Sequence, residues 1–222
     1  KLGLALDLDK IQLGLTTTTS RINVRGTGST LLEEYLVGVD TSGNGSSDDI
    51  YIFNIQNSLK AVCKSPWAIG FGMGIPFSKG LIHLSAEWYS AIPKYTIIEA
   101  EDFIGQSTGE TIGFALVDEL NPVINYGVGI ELHLSEKVSA YASFATDYSA
   151  VPGDITRFAE FKDEAANSVF QSDFYQFGGG ISITTKAVEI TIGATRNGAS
   201  QQLERPINFP EEGGDPIYDS GN

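Results

Sequence analysis

Trp67-Ala68-Ile69-Gly70-Phe71-Gly72-Met73-Gly74-Ile75-Pro76-Phe77 runs through Ser78-Lys79-Gly80 into Leu81-Ile82-His83-Leu84-Ser85-Ala86-Glu87-Trp88-Tyr89. In the first run Trp67, Ile69, Phe71, Met73, Ile75 and Phe77 alternate with Ala68, Gly70, Gly72 and Gly74. In the second, Ile82, Leu84, Ala86 and Trp88 alternate with His83, Ser85, Glu87 and Tyr89. Successive side chains of a pleated strand point to opposite faces, so a period of two over this length is strand and excludes helix. Two such runs joined by a short polar turn form a β-hairpin.

The same unit occurs four times, and each turn carries a lysine: Asp9-Lys10, Ser78-Lys79-Gly80, Glu136-Lys137 and Thr185-Lys186. Leu2, Leu4, Leu6 and Leu8 share a face, followed by Ile11, Leu13 and Leu15. Ile124, Tyr126, Val128, Ile130, Leu132 and Leu134 oppose Asn125, Gly127, Gly129, Glu131 and His133, and Val138, Ala140, Ala142 and Phe144 oppose Ser139, Tyr141 and Ser143. The last pair sets Tyr175, Phe177, Ile181, Ile183, Val188, Ile190 and Ile192 against Gln176, Gly178, Gly180, Ser182, Glu189 and Thr191. Eight strands are expected, over approximately 1–8, 10–19, 66–77, 80–90, 121–134, 137–148, 170–184 and 186–196. The apolar stretch 49–64 reads as an extension of the third strand bent at Ser65-Pro66, because proline has no N–H for a ladder.

The composition of the two faces decides what they meet. A soluble sandwich turns its apolar face inward and carries Lys, Glu and Thr outside. Here the second face is Gly, Ala and Ser with scattered acids and histidines, which suits a crowded, hydrated lumen. A membrane strand needs about 9 to 11 residues, apolar outward, with aromatic girdles at both interfaces. Trp67, Phe77, Trp88, Tyr89, Tyr148, Phe174 and Tyr175 fall at or near strand ends. The fold expected is all-β: an antiparallel up-and-down transmembrane barrel, one domain over 1–222, in the outer membrane of a Gram-negative bacterium. Lipid or detergent is the partner of its apolar face.

With 25 glycines, 8 prolines and 19% charged residues in 222, the composition fits an all-β domain rather than a disordered chain. There is no run of 18 apolar residues, so membrane insertion is expected by closed β-structure. Cys63 is the one cysteine; no internal disulfide forms within these residues, and it reads as a small apolar wall residue. Any signal peptide is expected upstream of Lys1 or already removed.

The net charge of −14 gathers between the hairpins: Glu33, Glu34, Asp40, Asp48 and Asp49; then Glu99, Glu101, Asp102, Glu110, Asp118 and Glu119; then Asp154, Glu160, Asp163 and Glu164; and Glu204, Glu211, Glu212, Asp215 and Asp219 in the tail. Such segments repel a nucleic-acid backbone. They are solvated loops or, through oxygen ligands, sites for Ca²⁺ or Mg²⁺. Long acidic segments at one end and short turns at the other match the external loops and periplasmic turns of outer-membrane barrels.

The Pro66–Gly74 strand, its short turn and Leu84–Tyr89, together with Phe177–Ile183 and Val188–Ala194, resemble the hairpins of the FadL/TodX-type outer-membrane channels in a Bacteroidetes-like version. That resemblance implies a fourteen-stranded barrel plugged by an N-terminal hatch, passing long-chain fatty acids or other hydrophobic small molecules inward. No counterpart of the hatch or the early strands is found here, so the chain corresponds to the later part of such a barrel. The second function it implies is a structural or secretion-associated barrel that binds an outer-membrane protein partner. An eight-stranded barrel complete in itself is the competing architecture, with a lumen too narrow for transport.

Five ionisable residues are placed in the lumen: His83, Glu87, Glu131, His133 and Glu189. His83 lies four after Lys79 and His133 four before Lys137, so both imidazoles are expected at similar height beside Glu131 and within reach of Glu87. Two imidazoles and a carboxylate suit Zn²⁺ or a pH-sensitive latch; a hydrogen-bonded network that fixes register is the favoured reading. Glu189 has the same two readings. No Gly-x-Ser-x-Gly, Cys-x-x-Cys, His-Glu-x-x-His or Gly-x-x-x-x-Gly-Lys signature occurs. No enzymatic activity, cofactor or resident metal is expected.

Overall fold

The computed structural model describes residues 1–40, 45–152, 164–166, 172–199, 204–207 and 217–220. Its strands are β1 Leu2–Leu8, β2 Ile11–Thr18, β3 Thr27–Val39, β4 Asp48–Lys60, β5 Ala68–Phe77, β6 Gly80–Tyr89, β7 Ile92–Glu99, β8 Phe103–Ile104, β9 Thr111–Ile112, β10 Ala115–Leu120, β11 Val123–Ser135, β12 Val138–Asp147, β13 Glu164–Ala166, β14 Phe174–Thr184, β15 Glu189–Ala199, β16 Glu204–Ile207 and β17 Ile217–Ser220. No helix occurs among the described residues. Residues 41–44 and the acids Asp154, Glu160, Asp163, Glu211, Glu212 and Asp215 lie outside them.

The fold is all-β. Its main element is an eight-stranded antiparallel sheet in the order β1-β2-β5-β6-β11-β12-β14-β15, which is the set of strands expected from the sequence. One unbroken row crosses it: Leu6, Leu13, Met73, Leu84, Val128, Phe144, Phe177, Arg196. Next to it, on the other face, runs Ala5, Gly14, Gly72, Ser85, Gly127, Ala145, Gln176, Asn197. The register thus sorts the two compositions onto opposite faces with one exception in sixteen positions, Arg196 in the apolar row. A one-residue slip at any strand would exchange them.

The four short connections all lie at one end of the sheet. Leu6 stands two residues from the end of β1, while Arg196, in the same row, stands seven from the start of β15. The turn end therefore advances five residues, about 17 Å, across a width of about 34 Å, an oblique cut of roughly 27°. β1 and β15 pair on one side only among the described residues.

Between these hairpins the chain makes excursions from the opposite end. The first is a separate hairpin, β3 with β4. Stretch 49–64 is therefore not an extension of β5 as its apolar run suggested: β4 belongs to another sheet and the chain is free of strand pairing through 62–67. Cys63 falls in that connection and is exposed, so it is no wall residue. The second excursion holds β7, β10 and the short pair β8–β9, with β13 parallel to β10. The two excursions join where Ala61 bridges Ile98 and Val62 N–H donates to the Ile97 carbonyl at 2.9 Å. Gly28 lets Ile98 approach: a β-carbon there would lie 2.5 Å from its Cδ1.

These excursions, not the sheet, hold nearly all of the buried apolar residues: Ile52, Ile92, Ile97, Ala100, Ile112 and Val117, with Ala68 the exception. They form a small cap with its own core. Glu34 sits among them, 8% exposed, opposite Ile52. Burial raises its pKa above the ordinary carboxylate value of 4.5. A carboxyl whose folded pKa is raised binds more protons folded than unfolded, so the cap is less stable as pH climbs from 4.5 through the raised value. The protection factors of the β3 and β4 amides, which divide out the steep rise of intrinsic exchange with pH, are expected to be higher at pH 5 than at pH 7, and Glu34→Gln is expected to flatten that difference. An unchanged pH profile in the variant would assign the effect to another group.

Candidate functional site

The sheet is concave on its Gly/Ser face. An open hollow of about 740 Å³ is floored by Gly14, Gly72, Gly74, Ser85, Gly127, Gly129 and Ser143 and flanked by His83 and Tyr141. A second of about 430 Å³ continues along Thr16, Gly70, Glu87 and Asn125, and a third of about 330 Å³ along Ser143, Gly178, Gly180 and Thr195. Several of these glycines sit tightly against side-chain hydroxyls of a neighbouring strand. A β-carbon at Gly70 would lie 2.6 Å from Thr16 Oγ1, at Gly127 2.5 Å from Ser85 Oγ, and at Gly178 2.7 Å from Ser143 Oγ. Gly72 differs: nothing lies within 4 Å of its added carbon.

All five ionisable candidates lie on strands of this sheet, and the register puts them on the Gly/Ser face. They do not converge. His83 is opposite Gly129, whereas His133 stands four residues further along β11, where its N–H donates to the Lys79 carbonyl at 2.7 Å. The rings are thus offset by roughly 14 Å along the strand rather than level. The reason is stagger: Gly80, directly after its turn, pairs with Leu132, three residues before β11 ends. Glu131 and His133 do meet, with Nε2 3.0 Å from Oε1. Glu87 is occupied elsewhere, accepting from the Tyr89 hydroxyl at 2.8 Å.

Glu189 accepts from Ser182 Oγ at 2.9 Å, and that hydroxyl accepts from Thr191 Oγ1 at 3.0 Å; Ser182 is 2% exposed. This triad ties β14 to β15 beside their turn. Among the described residues no group of three or more His, Cys, Asp or Glu side chains gathers as a metal site would need. What the face offers is a smooth, small-residue floor with polar pairs at its two ends.

The opposite face is apolar and uncovered. Leu2, Leu4, Leu15, Ile69, Phe71, Leu84, Val128, Phe177, Ile181 and Ile192 are all exposed. Towards the end away from the turns it becomes aromatic: Trp67 and Trp88 meet edge-to-face at 4.9 Å, and Tyr175 lies 6.1 Å from Tyr148 and 6.3 Å from Phe144. Arg196, the one charge in the central row, belongs to this end, seven residues from the start of β15. Sequence reasoning found this face and its aromatic border but passed over Arg196, whose level depends on the stagger. Among the described residues no helix is long and apolar enough to cross a membrane, which bears on helical spans alone. No protein-family model matches the chain, and no curated protein matches it either.

Proposed function

We propose that the sheet is wall of an outer-membrane β-barrel whose concave face lines a passage for hydrophobic small molecules such as long-chain fatty acids, as the FadL-type resemblance implies. The observation that carries the reading is the apolar row from Leu6 to Phe177, exposed at Leu6, Leu84, Val128 and Phe177 and half-buried between them, backed by a row made mostly of small residues. A monomeric soluble protein rarely leaves a patch of that size bare. The band has the right height: from Gly80 to Trp88 β6 climbs about 27 Å, or roughly 24 Å after the oblique cut, against about 25 Å for the apolar belt of such barrels. The stagger runs in one sense across the sheet, as closure demands, at roughly 27° against about 35–45° for complete barrels.

Width follows from the same floor. An eight-stranded barrel is filled by its own side chains. Six of the eight floor residues from Ala5 to Asn197 are Gly, Ala or Ser, too little bulk for that. An open strand edge in hydrocarbon costs several kcal/mol per unpaired group. Further strands beside β1 and β15, up to the fourteen of the resemblance, satisfy both conditions. A scaffold that holds a protein partner is the second reading, and the unpaired edge of β3 favours it.

The experiment is uptake of radiolabelled oleate by Gram-negative cells that lack their own fatty-acid channel and express this sheet within the wider barrel the reading requires. Uptake above the empty-vector rate is expected. Correct outer-membrane assembly with no gain in oleate, or in other apolar solutes, would leave the scaffold reading alone.

A further inference from the structure

We propose that the outer edge of β3 receives an extended polypeptide strand bearing lysine or arginine, which adds to the β3–β4 hairpin by main-chain hydrogen bonds. The site is in the cap, so it stands apart from the transport reading. β4 has a sealed outer edge. Its Tyr51 N–H donates to Ser107 Oγ at 2.8 Å and its Phe53 N–H to Gln106 Oε1 at 2.9 Å, while Gln106 Nε2 returns a bond of 2.7 Å to the Phe53 carbonyl. β3 has no such cover: among the described residues it pairs with β4 alone and no side chain caps its other edge. Natural edges are blunted by lysine, proline or bulges. β3 has neither lysine nor proline in thirteen residues, and its register is unbroken from Thr30 to Leu36.

Beside that edge lies an uncovered apolar face. Leu31, Tyr35, Val37, Tyr51, Phe53 and Ile55 are exposed, with Tyr35 and Tyr51 in edge contact at 6.4 Å. Alternate side chains of an added strand would lie on these residues, as in recognition by strand addition.

Charge selects the occupant. From Gly26 to Leu59 there is no Lys or Arg, against Glu33, Glu34, Asp40, Asp48 and Asp49. Glu34, more than nine-tenths buried, has no ion pair or side-chain hydrogen bond among the described residues. A neighbouring strand brings its β-carbons within about 5 Å of those it faces, so a lysine there reaches the carboxylate. The burial that raises the Glu34 pKa is then offset by an opposite charge. A second copy is a poor occupant, because antiparallel self-pairing centred on Glu33 sets acid against acid. Anionic lipid headgroups are repelled likewise.

The test uses the purified protein in detergent and an acetylated, amidated peptide alternating lysine with valine, long enough to span Thr30–Leu36. Fluorescence anisotropy is expected to show binding that weakens with salt. N-methylation of alternate residues in one phase is expected to weaken it about tenfold or more while the other phase leaves it unchanged, since an edge bonds through one side of a strand only. A glutamate-for-lysine peptide and the exposed Tyr35→Ala variant are each expected to bind several-fold more weakly. Equal binding by both N-methylated phases, equal binding by the glutamate peptide, or a dimer that consumes the edge would each overturn the proposal.

Discussion

Leu84→Arg is expected to abolish outer-membrane assembly, while Ser85→Arg, one residue along β6, is expected to leave it intact. Both residues are exposed and both stand at the middle of the strand, so the pair differs only in the face it occupies. An arginine on the lipid face of such a barrel costs about 2–4 kcal/mol at the bilayer midplane. That is a large part of a marginal stability of roughly 5–15 kcal/mol. On the concave side the guanidinium enters a hydrated hollow. The measurement is heat-modifiable migration together with membrane fractionation. Wild-type levels of assembled Leu84→Arg protein would show that lipid is not what this face touches, since an apolar face already bare in water loses nothing by gaining a charge.

Gly72→Trp carries the second large effect: oleate uptake is expected to fall roughly tenfold or more, with assembly unchanged, because selectivity in a passage follows its free radius. Gly72 lies in the middle of the floor and has open space where its β-carbon would stand, so the indole projects into the hollow without displacing a neighbour. Gly180→Trp is the contrast, since the Ile192 carbonyl and the Gly193 Cα would lie 2.8 and 3.0 Å from its added carbon and assembly should suffer with transport. Wild-type uptake through Gly72→Trp would mean that no solute crosses this floor.

The eight strands of the main sheet were legible because each is specified locally. Leu2–Leu8 or Phe174–Thr184 shows its two faces in its own residues, and a turn of a few residues beside it fixes the partner. The cap was not legible, for a physical reason. In β3 and β4 both faces carry apolar side chains, Leu32, Leu36, Ile50 and Ile52 inward and Leu31, Tyr35, Tyr51 and Phe53 outward, while Thr30, Glu34, Asn54 and Gln56 also point inward. The period of two is blurred, and Ile50-Tyr51-Ile52-Phe53 looks like one continuous run. The sealing of β4 by Gln106 and Ser107 joins residues more than fifty apart, and nothing in either segment announces it.

For the candidate site, the residue types and the face they share were readable, and their spacing was not. Height along the sheet depends on stagger accumulated strand by strand. The three residues by which β11 overruns Gly80 parted His83 from His133 and left Glu131 as the partner of one of them. The same offset raises Arg196 to the aromatic border.

The excursions leave and re-enter the sheet at one end, so Thr18 and Ala68 are paired neighbours although the chain between them makes an entire hairpin. Lengthening such a detour is thermodynamically mild, about 0.6 kcal/mol per doubling. Foreign sequences grafted between neighbouring strands of the sheet, with both halves of the cap exchanged together, should therefore leave the eight-stranded frame unaltered, which makes the sheet a modular platform.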